Sequence, residues 1–185
     1  MKGMKTPFCN RRAPNRPSVF SAGAITFVAL LSACTPNHDW REIRGDAAPY
    51  TVLLPAKPTT QTRQITLSGM AVTMTMTSAE VDHAAYAVGS VATADAAAAK
   101  KIMLAMKAAL IEHIDGAVVK ERAADSADGS QIDLEATGAP KGESRVVEAR
   151  FVAHDRFAYQ VIVTGPAKSV TRDNIDTFMT SFKVK

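Results

Sequence analysis

Residues 93–116 read TADAAAAKKIMLAMKAALIEHIDG, and this segment separates two groups of strand-like sequence. We expect Thr93 to cap the amino terminus of a helix and Asp95 to lie in its first turn, where the helix dipole favours an acid. Apolar residues then recur at spacings of three and four, which predicts a buried stripe: Ala99, Met103, Met106, Leu110 and Ile114. Gly116 follows, at the left-handed position that commonly ends a helix.

Four segments before this helix have the composition of β-strands. The first, Tyr50–Leu54, ends at Pro55, and a Ser68-Gly69 turn separates the second from the third. Strict alternation in the third predicts that every second side chain faces the core. The four segments span residues 50–54, 65–67, 72–77 and 84–91.

Four more strand-like segments and a second helix follow the first helix. In one strand Ile132, Leu134 and Ala136 alternate with Asp133 and Glu135, which is typical of a strand with one solvated face. The four strands are predicted at residues 117–122, 132–136, 147–153 and 157–163. In the second helix we expect Thr171 to be the N-cap, and the apolar face consists of Ile175, Phe178, Met179 and Phe182.

The order ββββ-α-ββββ-α predicts an α+β domain. Hairpins and one long crossover suffice to connect these elements, so we expect a largely antiparallel sheet with the helices packed on it. Trp40 and Ile43 are expected to pack on this domain, with the membrane interface as the alternative position for Trp40.

Three stretches carry a resemblance to a known fold family. They are Tyr50-Thr51-Val52-Leu53-Leu54-Pro55 followed by Pro58, the helix end Ile114-Asp115-Gly116, and the terminal Ser181-Phe182-Lys183-Val184. Over most of residues 49–185 the sequence resembles small bacterial envelope proteins whose fold is similar to PsbP, the extrinsic photosystem subunit. The resemblance implies a PsbP-like fold and a mostly non-catalytic family of binding and assembly factors, and it transfers no functional residue.

The amino-terminal region has the layout of a secretory signal. Five basic residues and no acidic residue precede an apolar run at residues 19–31; the basic residues are Lys2, Lys5, Arg11, Arg12 and Arg16. The last residue of the run is the first of the tetrapeptide Leu31-Ser32-Ala33-Cys34. That tetrapeptide resembles the lipobox of bacterial lipoprotein precursors. The resemblance implies a diacylglyceryl group on the Cys34 sulfur, cleavage between Ala33 and Cys34, and acylation of the new amino terminus.

The predicted organisation is a signal peptide at residues 1–33, a lipidated Cys34 with a short tether at 34–48, and one α+β domain at 49–185. Thr35 follows the cysteine, where lipoproteins retained in the inner membrane of Gram-negative bacteria often have Asp. The resemblance therefore implies a palmitate-bearing lipoprotein of the outer membrane that faces the periplasm. The alternatives are an inner-membrane protein with a retained N-terminal anchor and cleavage without lipid.

Charge and cysteine content limit the partners. Removing the five bases of the signal from the total of 22 leaves 17 bases against 18 acids, a net charge of −1, so nucleic-acid binding is not supported. Cys9 lies in the signal, which leaves Cys34 without a disulfide partner in the mature chain. We expect the membrane, through the lipid on Cys34, and an unidentified envelope protein as partners.

The sequence contains no motif that indicates catalysis, so we expect neither an enzyme nor a cofactor. There is no Gly-x-Ser-x-Gly, no Gly-rich phosphate loop and no dinucleotide fingerprint. Met70, Met74 and Met76 suggest a copper carrier as an alternative, but core packing explains them better. The four histidines, His38, His83, His113 and His154, lack the spacing of zinc ligands, so we expect no metal site.

Overall fold

The computed structural model describes residues 38–126, 129–139 and 142–185. The predicted signal peptide, the cleavage position at Ala33 and Cys34, and the lipidated sulfur of Cys34 lie outside these residues. The described residues belong to one compact unit that includes both helices and both sheets. The predicted domain boundaries and the lipobox therefore stay predictions.

A seven-stranded antiparallel sheet forms the centre of the fold. Its order is β3-β4-β5-β9-β8-β7-β6, and all neighbouring strands are antiparallel. The strands are β3 (Thr59–Leu67), β4 (Met70–Val81), β5 (Ala84–Ala92), β6 (Gly116–Ser126), β7 (Gly129–Gly138), β8 (Arg145–His154) and β9 (Phe157–Gly165).

Helix α1 (Ala96–His113) is the long crossover that the sequence predicts. It leaves the sheet after β5 and returns the chain at β6, on the far side of β9, β8 and β7. Eighteen residues at about 1.5 Å each span roughly 27 Å, which is enough to cross four strand spacings of about 4.8 Å. The meander β6-β7-β8-β9 then brings the chain back to β5.

A small sheet and the second helix cover the other face. β2 (Tyr50–Leu54) pairs with β1 (Arg41–Arg44) on one side and with β10 (Lys183–Val184) on the other. Helix α2 (Arg172–Ser181) packs against β2, and the Ser181 hydroxyl accepts a hydrogen bond from the Leu53 amide at 2.9 Å. The result is three layers: α1, the large sheet, and α2 together with the small sheet.

Strand alternation divides the apolar side chains into two cores. On β8 and β7 the buried side chains of one face of the sheet, such as Phe151 and Leu134, pack beneath α1. On β5 and β9 the buried side chains of the other face, such as Tyr86 and Tyr159, pack beneath α2 and β2. The predicted α+β class, the largely antiparallel sheet and the helices on the sheet are confirmed.

Both ends of α1 differ from the prediction. Asp95, not Thr93, is the N-cap, and its carboxylate accepts a hydrogen bond from the Ala98 amide at 2.8 Å. The Thr93 hydroxyl instead donates a hydrogen bond to the carbonyl oxygen of Arg156 at 2.9 Å. This bond connects the segment between β5 and α1 to the β8–β9 turn. At the other end Asp115 takes the left-handed conformation with φ 46°, and Gly116 begins β6.

The terminal segments add structure that alternation alone did not predict. Arg41–Arg44 lies in the range expected to be a tether, and it forms an edge strand of the small sheet. Trp40 and Ile43 pack against the core beneath α2, as expected, and the Trp40 ring lies 6.0 Å from the Tyr86 ring. No helix in the described ranges is long and apolar enough to cross a membrane.

Candidate binding groove

A charged groove runs between α2 and the outer strands β6, β7 and β8. Its volume is about 280 Å³, and it is open to solvent along one side. Four basic and four acidic side chains line it: Lys120, Arg122, Arg150, Arg172, Asp133, Glu135, Glu148 and Asp176.

Strand alternation and the short length of α2 together create this groove. Ile132, Leu134 and Ala136 face the core beneath α1, so Asp133 and Glu135 point to the opposite face. Helix α2 has ten residues, about 15 Å, and it packs over the middle of the sheet without covering β6. The polar side chains of the outer strands therefore line an open channel beside the helix.

Arg150 connects the strands to the carboxyl end of α2. Its Nε donates to Asp133 Oδ1 at 2.6 Å, and its Nη1 donates to the carbonyl oxygen of Met179 at 3.0 Å. Gln131 donates to the other oxygen of Asp133 at 3.0 Å. A cation is favoured at the carboxyl end of a helix, so this contact also stabilises α2.

Arg172, the first residue of α2, forms ion pairs at the end of the groove next to the amino terminus of the helix. Its guanidinium lies 2.8 Å from Glu148 Oε1 and 3.9 Å from Asp176 Oδ1. Burial raises the pKa of the Glu148 carboxyl, and the charge of Arg172 opposes that rise.

The edge strand β6 contributes the remaining two cations. Lys120 Nζ donates to Glu135 Oε1 at 2.8 Å, and this hydrogen bond lowers the pKa of Glu135. Arg122 is opposite Asp133 in the strand register, but Asp133 is engaged by Arg150. Among the described residues Arg122 makes no hydrogen bond or ion pair, although its charge also lowers the pKa of Glu135. Among the described residues the groove therefore presents one guanidinium without an ion pair, beside three ion pairs.

This arrangement suits recognition of a charged surface. An arginine that no internal carboxylate occupies can bind a carboxylate of a partner through two hydrogen bonds. The described ranges contain no group of three or more His, Cys, Asp or Glu side chains placed to hold a metal ion.

Asp133 and Glu135 lie on the partly solvated face of β7, as predicted, and this face also borders α2. Both side chains are half-buried and ion-paired, with 40% and 34% of their surfaces exposed. Alternation correctly placed them opposite the core of α1. It contained no information that α2, more than thirty residues later, would pack beside them.

The other candidate residues lie in separate places. Met74 is buried beneath α1, and Met70 and Met76 pack against the same cluster, so core packing is confirmed for these methionines.

The four histidines lie in four separate parts of the fold. His38 stacks on Trp40 and shares a hydrogen bond with Asn174, and His83 lies in the β4–β5 turn with φ 65°. His113 ends α1, and His154, the last residue of β8, lies 3.7 Å from Asp155.

Comparison with known proteins identifies the fold. No family model and no curated protein match the sequence. The solution structure of cyanobacterial PsbP (CyanoP) from Synechocystis sp. PCC 6803 is similar, with a TM-score of 0.52 at 12% identity, over 85% of this chain and 99% of that one. PA94, a protein of unknown function from Pseudomonas aeruginosa, has a TM-score of 0.39 at 13% identity, over 70% and 85%. The chain has a PsbP-like fold.

Proposed function

We propose that the protein is a non-catalytic, lipid-anchored module of the bacterial cell envelope that binds a protein partner through the charged groove. The observation that carries the proposal is the Arg122 guanidinium, which has no ion pair in the described part of the chain, beside three ion pairs in an open channel. A partner with an acidic side chain would complete the pattern of alternating charges.

The proposed anchor is the lipid on Cys34, and the proposed location is the outer membrane, facing the periplasm. The support is the lipobox-like Leu31-Ser32-Ala33-Cys34 behind a basic and apolar leader. The PsbP-like fold is compatible with a binding module, and the sequence has no motif for catalysis.

Labelling with radioactive palmitate tests the anchor. The unchanged protein should incorporate label and appear in the outer-membrane fraction after density-gradient separation. Cys34→Ser should incorporate none and accumulate as the uncleaved precursor. A Cys34→Ser protein that matures to the same size and stays membrane-bound would contradict lipidation. An unchanged protein in the inner-membrane fraction would instead support a retained anchor.

Charge reversal in the groove tests partner binding. In cells, chemical crosslinking followed by mass spectrometry should identify one partner in near-stoichiometric amount. Arg122→Glu should reduce the recovered partner at least tenfold, because a buried carboxylate of the partner would then face a like charge. Arg63→Glu is the matched control, since Arg63 is exposed on β3 at the opposite edge of the sheet.

Arg122→Glu and Arg63→Glu must have the same melting temperature, so that a difference in partner recovery reflects binding and not unfolding. Equal recovery of the partner with both variants would show that the groove is not the binding surface. Loss with both variants would indicate a response to net charge alone.

A further inference from the structure

An apolar cavity of about 240 Å³ lies at the carboxyl end of α1, on the opposite face of the sheet from the charged groove. Leu110 and Ile114 form the wall on the helix side. Ala85 and Ala87 of β5 and Ile162 of β9 form much of the floor. The surface of the cavity is almost entirely apolar.

The cavity exists because the helix ends before the sheet does. The last helical residue is His113, and the chain turns at Asp115 into β6, so α1 does not cover the first residues of β5 and the last residues of β9, which pair with each other. Alanine is small, and at positions 85 and 87 it leaves empty the space that larger side chains would fill. These positions lie on central strands, yet both alanines are only half-buried.

A polar hollow of about 650 Å³ adjoins the cavity. Ala85 and Arg145 line both spaces, so Arg145 stands at the boundary between them. The hollow also contains Lys168 and His83, together with the acids Glu80 and Glu143.

Arg145 has donors available at this boundary. Its Nη1 lies 3.8 Å from Glu143 Oε2, and the Glu143 side chain is 79% exposed, so this ion pair is weak. Its Nη2 donates to the carbonyl of His83 at a long 3.5 Å. The Arg145 side chain itself is only 25% exposed, which places its charge close to the apolar space.

We propose that the cavity and the hollow together bind one single-chain amphiphile with an anionic head group. The alkyl chain occupies the cavity, and the head group binds the guanidinium of Arg145, with Lys168 nearby. Among the described residues Lys168 makes no hydrogen bond or ion pair. An engineered apolar cavity of about 150 Å³ in another protein is large enough for benzene, so 240 Å³ has room for a short alkyl chain.

Calorimetric titration with straight-chain carboxylates tests this site. Residues 35–185 are used, because they form one compact unit that contains every described strand and helix. From hexanoate to decanoate the affinity should rise about fourfold per added methylene until the cavity is full. Decyltrimethylammonium should bind at least tenfold more weakly than decanoate. Affinity that does not depend on chain length would overturn the proposal, as would equal affinity for both head groups.

Two variants and two matched controls locate the ligand. Arg145→Gln should remove the preference for the carboxylate, whereas Arg63→Gln on the exposed edge strand should leave it intact. Ala87→Leu should lower decanoate affinity at least tenfold by filling the cavity, whereas Ala123→Leu on exposed β6 should not. Full affinity in folded Ala87→Leu would place the ligand elsewhere. The chain-length series on the unchanged protein decides the question even if Ala87→Leu does not fold.

Discussion

At the scale of single residues, a pair of glycines allows the end of α1 to approach the sheet. Gly116 and Gly138 are opposite each other in the β6–β7 register. A β-carbon on Gly138 would overlap the carbonyl oxygen of Ile114, and one on Gly116 would overlap that of Thr137. Both obstacles are backbone atoms, which cannot move aside by changing a rotamer.

Gly138→Ala should therefore lower the free energy of unfolding by about 1–3 kcal/mol, the usual cost of overpacking. Urea denaturation followed by circular dichroism measures this. Thr137→Ala is the control, because Thr137 is exposed beside Gly138 and its loss should change stability by less than about 0.5 kcal/mol. Equal midpoints for the two variants would show that the backbone can relax at this contact.

At the scale of the elements, each helix depends on one capping side chain. Asp95 accepts from the amide of Ala98 at the start of α1, and Thr171 accepts from the amide of Asn174 at the start of α2. The sequence predicted Thr171 correctly and placed the first cap two residues too early. Thr93 remains outside the helix because its hydroxyl and amide both bond to the carbonyl of Arg156 in the β8–β9 turn.

Asp95→Ala should cost about 1 kcal/mol of stability, since the Ala98 amide loses its acceptor. Asp95→Asn keeps a capping oxygen and should lose much less. Thermal unfolding of both variants beside the unchanged protein makes the comparison. If Asp95→Asn were as unstable as Asp95→Ala, charge rather than capping would account for the contribution of Asp95.

At the scale of the whole molecule, the layer beneath α2 contains all three tyrosines of the chain. Tyr50, Tyr86 and Tyr159 come from three different strands, and each is at most 4% exposed. Burial raises the pKa of all three phenols above the ordinary value of about 10. The folded state therefore keeps protons that the unfolded chain releases.

The free energy of unfolding should consequently fall as the pH rises above about 10, because only the unfolded state releases phenol protons there. The contribution is fully present below that pH. Absorbance at 295 nm should show little tyrosinate until far-UV circular dichroism reports unfolding, and the two transitions should coincide. Phenols that titrate near pH 10 while the circular dichroism is unchanged would contradict the packing of this layer.

The sequence by itself determined the two helices, the strands of the large sheet and strand β2, together with the burial of most of their apolar positions. Alternation such as Ile132, Leu134 and Ala136, and the helical spacing of Ile175, Phe178 and Met179, depend only on local geometry, so they were predictable and are confirmed. The antiparallel class followed from the element order. The lipobox-like segment likewise gave the prediction of an anchor at Cys34.

Only the tertiary structure decided what these elements place together. The groove needs α2 beside Asp133 and Glu135, and the apolar cavity needs α1 to end short of Ala85 and Ala87. Both depend on contacts between residues far apart in the chain, and a periodic pattern shows which face a side chain takes but not what covers that face. The strand Arg41–Arg44 was missed for the same reason, because its partner β2 supplies the pairing that its own mostly exposed sequence does not indicate.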